Sequence, residues 1–259
     1  MRSDETEIHF VGKTPAEEVK TLLYEHLSFP ENGKKTNSPI LRERIPVTEQ
    51  EVYLLADKSM QQAKIYFYMG GQPYSQKERL LYSAFNEYFS GDFSGLVMNE
   101  IREKRSMAYT AYGFFNRPVI QGRNAEFTGY VGTQPDKVAD AMDVYMSLLN
   151  DMPQHGENIE SIRTVLRQSM LSNKPSFRSK SQQMTQWNRM GYAIDPATLE
   201  IRQVQKLKFE DIVSFYETHV KGLPIRMLIV GDTKTMDLKR IQATYGKVKK
   251  VSRGKLFGE

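Results

Sequence analysis

The stretch from Asn99 to Gly113, NEIREKRSMAYTAYG, packs three cations, two acids and two tyrosines into fifteen positions. Arg102, Lys104 and Arg105 interleave with Glu100 and Glu103, and Tyr109 and Tyr112 follow. Arg102 stands seven residues before Tyr109. Spacing alone leaves two readings open. In the first, the cations occupy the last turn of a helix, where they favour the macrodipole by about 0.3–1 kcal/mol. The tyrosines are then ordinary aromatics of the next strand. In the second, Arg102 and Tyr109 are half of an active site.

Other chemistries find less support. The four histidines are His9, His26, His155 and His219, and none lies three to five residues from another. Neither HExxH nor HxxEH occurs, so the expectation is structural histidines and no zinc site within this chain. Cysteine is absent, which excludes disulfides, thiol nucleophiles and thiolate metal sites. There is no GxSxG, and the glycines of VGDTKT and FSGDFSG match no phosphate loop and read as tight turns.

The elements that must position these residues belong to a globular chain. Its 259 residues fit one large domain, or one domain plus a fragment of another. With 39% hydrophobic and 26% charged residues it can bury a core. Apolar runs such as RMLIV and VYLLA are far shorter than the roughly 20 residues of a membrane-spanning helix. The start, MRSDETEIHF, lacks the apolar run of a signal peptide, and nothing in the sequence decides the compartment. The net charge of +5 is scattered among acids, so no nucleic-acid partner is expected. The basic tail KVKKVSRGK reads as a solvated end.

Two distant segments look alike. IHFVGKTPAEEVKTLLYEHL and RMLIVGDTKTMDLKRIQATYG each read as an apolar strand, a Val-Gly-polar-Thr turn and an amphipathic helix. Val19, Leu22 and Leu23 carry the first helix; Met236, Leu238 and Ile241 carry the second. Such a repeat suggests two domains that end the same way. Residues 1–42 are therefore expected to be the terminal strand and helix of a preceding domain plus a linker over 28–42. Residues 43–259 form the domain itself. Within it, EVYLLAD and AKIYFYMGG read as strands and 76–90 as a helix. SGLVMNEIREK reads as a helix capped by Ser94, followed by strands AYTAYGFF and NAEFTGYVGTQ. Helices follow over 135–150, over NIESIRTVLRQSMLSNK entered by Asn158, over SKSQQMTQWNRMGY and over KFEDIVSFYETHV. The fold class is α+β, a mainly antiparallel sheet with helices packed on one face.

Read in order, FSGDFSGLVMNEIREKRSMAYTAYG resembles the C-terminal domain of the M16 metallopeptidases, the insulinase, pitrilysin and mitochondrial processing peptidase family. The matching positions are Gly95, Leu96, Arg102, Glu103, Lys104, Met107, Ala108 and Tyr109; Ser106 stands where glycine is usual and Met107 where leucine is. VGKTPAEEVKTLL and FEDIVSFYETHVKGLPIRMLIVGD resemble the strand-and-helix units that close M16 domains, so the likeness covers nearly the whole chain.

The resemblance implies a metallohydrolase fold of the LuxS/MPP-like type and a bilobed shell that closes on a peptide. One lobe holds zinc on HxxEH and a distant Glu; the other, without metal, contributes an Arg and a Tyr at the spacing of Arg102 and Tyr109. The cofactor expectation is thus none in this chain and zinc in a partner domain. The Tyr hydroxyl is suited to donate to an oxyanion, and the Arg to grip a substrate carbonyl or carboxylate. The chain is expected to help bind and orient peptide beside an HxxEH-bearing partner and to be inactive alone. The alternative is an M16-like scaffolding subunit without catalysis.

Overall fold

The computed structural model describes residues 7–28, 44–91 and 95–257. Nearly all of the expected linker over 28–42, and Ser94 as a helix cap, lie outside those residues. Six strands are β1 (Glu51–Ala56), β2 (Ala63–Pro73), β3 (Ala108–Asn116), β4 (Asn124–Thr133), β5 (Arg226–Gly231) and β6 (Val248–Lys250). They form one sheet in the order β3-β4-β2-β5-β1-β6. The ladders β3–β4, β4–β2 and β2–β5 are antiparallel, whereas β5–β1 and β1–β6 are parallel. The mainly antiparallel expectation holds for the half of the sheet that carries Tyr109.

Helices are α1 (Ala16–His26), α2 (Arg79–Ser90), α3 (Val138–Asn150), α4 (Ile159–Ser172), α5 (Lys180–Arg189), α6 (Pro196–Glu200), α7 (Phe209–His219), α8 (Leu238–Tyr245) and α9 (Arg253–Phe257). Period-2 alternation decides which face of the sheet they cover. Ile65, Phe67 and Met69 of β2, with Ala125, Phe127 and Val131 of β4, are buried against α2, α3 and α7. Phe67 stacks on Tyr145 of α3 with ring centroids 4.0 Å apart, and Phe115 meets Phe215 of α7 edge-on at 5.5 Å. The opposite face exposes Tyr66, Tyr112 and Phe114. Tyr145 reaches the sheet because Gly129 lies above it: a Cβ there would stand 2.1 Å from the Tyr145 hydroxyl, which donates to the Tyr112 carbonyl at 2.9 Å.

Two local expectations change. The tail segment KVKK is not a free end: Val248–Lys250 pairs with β1 and Lys249 Nζ lies 2.7 Å from Glu51, although its lysines stay exposed. Asn158 stands at the N-cap of α4 as expected, without a side-chain cap hydrogen bond. The two look-alike units also part company. β5 sits between β2 and β1, and α8 is capped by Asp237 and buries Ile241 and Tyr245. In the first copy residues 8–11 join no strand, and α1 buries none of its residues.

Candidate functional site

The segment from Gly95 to Tyr109 leaves α2, turns once and enters β3. A Cβ at Gly95 would fall 2.6 Å from the Gly91 carbonyl oxygen, so the turn admits only glycine there. Residues 98–103 then form a π-helical turn, in which the Lys104 amide reaches back five residues to Asn99 at 2.9 Å. Single π turns are rare and cluster at functional sites. The turn ends on Ser106, whose φ of 50° is left-handed. Its amide donates to the Arg102 carbonyl at 2.8 Å, and the Met107 amide to Ile101 at 3.0 Å. This resembles a Schellman close widened by one residue. The glycine usual at this position of the resembled family thus has a physical reason, and Ser106 carries the strain of an L-residue there.

Burial divides the charges of the segment. Glu100 and Ile101 point inward, and 102–106 are exposed. Glu100 receives Lys104 Nζ and Arg105 Nη1, each at 2.6 Å, and Arg105 Nη1 also donates to the Glu100 carbonyl at 2.7 Å. Burial pushes the Glu100 carboxyl up, but the two cationic hydrogen bonds outweigh it and hold it below the ordinary value. Lys104 and Arg105 therefore hold the turn together. Among the described residues Arg102 has only Glu103, its sequence neighbour, as an ion-pair partner, at 3.5 Å, and both side chains are about half exposed or more. Such a contact is worth little and exchanges readily.

Tyr109 is turned outward by a β-bulge. Ala108 pairs with Thr133 and Thr110 with Gly132, so Tyr109 is the extra residue and is 70% exposed. Bulges commonly re-aim a side chain in this way. Arg102, Glu103, Ser106 and Tyr109 form one wall of an open cleft of about 440 Å³, and Gln134 and Lys137 form the other. The two walls are tied: buried Thr133 donates its hydroxyl to the Met107 carbonyl at 2.5 Å. The structure thus brings the two expected site residues, Arg102 and Tyr109, into one cleft and adds Gln134 and Lys137. Tyr112 lies instead on the open sheet face, stacked on Tyr130.

Three of the four histidines are engaged elsewhere. His219 is buried between Gln72 at 3.1 Å and Glu78 at 3.3 Å, and His9 and His155 lie beside Glu7 and Glu157. Among the described residues no three His, Cys, Asp or Glu side chains group to hold a metal. These residues do not fit a zinc ion. Nor, among the described residues, is any helix long and apolar enough to cross a membrane.

Comparison with known proteins gives this arrangement a context. The sequence profile of the family described as Peptidase M16 inactive domain matches residues 1–166. A relative from Streptomyces coelicolor, named an uncharacterized zinc protease, is 26% identical over 102 residues, which is 39% of this chain and 22% of the relative. The solved peptidase M16 inactive domain from Pseudomonas fluorescens superposes with a TM-score of 0.58 at 18% identity, covering 77% of this chain and 48% of that one. A protease from Helicobacter pylori superposes at 0.63 and 13% identity, covering 85% and 53%. These structural likenesses concern the fold. The chain spans about half the length of the two solved proteins, at 48% and 53%, and 22% of the Streptomyces relative.

Proposed function

The chain belongs to the peptidase M16 inactive-domain family, and from that premise we propose that it completes the active site of an HxxEH-bearing M16 partner domain by binding and orienting the peptide substrate. The observation that carries this reading is the placement of Arg102 and the exposed Tyr109 on the wall of one open cleft. In this role the Tyr109 hydroxyl donates a hydrogen bond to the oxyanion that forms on the scissile carbonyl. Such a donor is worth most where water is excluded, as it would be between two closed lobes. The Arg102 guanidinium, always protonated, grips a carbonyl or carboxylate of the bound peptide and fixes its register. Zinc in the partner would supply the Lewis acid and the activated water.

The same reading covers the domain organisation. Residues 1–42 are the closing unit of the preceding domain plus a linker, and 43–259 the metal-free domain. Support comes from α1, whose apolar positions Val19, Leu22 and Leu23 find no buried site in this domain, whereas α8 buries Ile241 and Tyr245.

The test is peptide hydrolysis by this chain alone, by an HxxEH partner alone, and by both with zinc. Cleavage that needs both partners is expected. Strong zinc-dependent cleavage by this chain alone overturns the proposal. A stable but inactive assembly of the two indicates the scaffolding alternative.

A further inference from the structure

We infer that the cleft beside Tyr109 selects peptide segments that present a carboxylate, with Lys137 as the second cation of the site and a determinant of specificity. The inference rests on the peptide-binding reading above and names the substrate class. Of the three cations in the turn, Lys104 and Arg105 are committed to Glu100, which leaves Arg102 facing the cleft. Lys137 lines the same cleft, exposed at the end of the short turn Pro135–Lys137 that leads into α3. The neutral lining groups Tyr109, Gln134 and Ser106 all carry a hydrogen-bond donor. Among the described lining residues the single acid is Glu103, held to Arg102 at 3.5 Å in an exposed contact that an incoming carboxylate can replace. A cleft with two cations, three neutral donors and one displaceable acid suits an anionic group.

The segments that carry the two cations are also held in fixed relation. Ala108 and Thr133 are paired across β3 and β4, so the turn bearing Arg102 and the turn bearing Lys137 leave the same end of the sheet. The Thr133–Met107 hydrogen bond locks them side by side. A carboxylate between them meets a preformed pair of charges and does not have to assemble one. The carboxylate could be an acidic side chain or a peptide C-terminus, and the two share this chemistry.

Fluorescence anisotropy of the 259-residue chain with three labelled peptides tests the inference. One carries a single Glu and an amidated end, the second replaces Glu by Gln, and the third is the Gln peptide with a free C-terminal carboxylate. At least one carboxylate-bearing peptide is expected to bind about fivefold tighter than the neutral one at low salt, with the gap closing as salt screens it. Whichever peptide shows the gap identifies the source. Lys137→Gln, at an exposed position, is expected to remove most of the gap between the carboxylate-bearing and neutral peptides, and a gap that survives it intact overturns Lys137 as the determinant. Equal affinity for all three peptides, still weakened by Tyr109→Phe, overturns carboxylate selection while peptide binding at the cleft stands. Affinities that respond to neither Tyr109→Phe nor Lys137→Gln, or no binding of any peptide, overturn both.

Discussion

Glu100 and Arg102 stand two residues apart in one π-helical turn and meet opposite surroundings. Glu100 is 8% exposed and saturated by Lys104 and Arg105. Arg102 faces an open cleft with a neighbouring acid as its only close charge among the described residues. From the sequence all four charges look equivalent. The difference comes from the direction of one carboxylate: with Glu100 turned inward, two of the three cations follow it to satisfy a group that would otherwise be buried and unpaired. The third is left for function. A charge-dense segment can therefore be half scaffold and half site, with the division set by which acid the core takes in.

Substitutions on the two sides should separate those roles. The largest effect on stability is expected at Ile101, fully buried in the turn: Ile101→Ala should cost about 2–5 kcal/mol in a urea titration. A cost under 1 kcal/mol would show that the turn is not anchored through its inward face. On the outward side, Tyr109→Phe should leave stability within about 0.5 kcal/mol. In the assembled enzyme it should lower kcat about 10²-fold, as the loss of one oxyanion donor does. An unchanged kcat would make Tyr109 a bystander.

Glu100→Gln should cost about 1 kcal/mol at pH 7, since the pair is partly solvated. The sign of its pH dependence follows from the depressed carboxyl. Stability from the charge cluster is present above the ordinary carboxyl value of 4.5 and is lost as pH falls through the lower, folded value. The gap between wild type and Glu100→Gln should therefore shrink at pH 3, and a gap that widens in acid contradicts the assignment. The smallest effect is expected at Ser106. Ser106→Gly relieves the left-handed strain at some cost in unfolded-chain entropy, for a net gain of about 0.5 kcal/mol in thermal melts. A loss would mean that the Ser106 side chain contributes something the backbone geometry does not reveal.

Much of the framework was legible before any coordinates. β4 announces itself through Ala125, Phe127, Gly129 and Val131 on alternate positions, and α2 through Leu80, Ala84, Phe85 and Tyr88 at helical spacing. These signals are local, because one buried face imposes one period. β6 was hidden because three residues with two lysines carry no period. It pairs with Val52–Leu54 of β1, and its Lys249 reaches a carboxylate, Glu51, that lies 198 positions away. At the cleft, Arg102 and Tyr109 were visible through their order in the Arg-Glu-Lys segment and its family likeness. Gln134 and Lys137 were not, since only the β3–β4 register carries them there.

The two strand–helix units mark the same boundary. Alternation and helical spacing are enough to specify that α1 and α8 are amphipathic helices and that the body of the chain is an α+β domain. The absence of cysteine excludes thiol chemistry, and the likeness to the M16 segment singles out Arg102 and Tyr109. Tertiary structure decided which amphipathic helix finds a core, which of three cations stays free of the scaffold, and which distant residues close the cleft. Periodicity is a property of neighbours along the chain. Burial, charge pairing and cleft walls depend on what packs against them from far away in sequence.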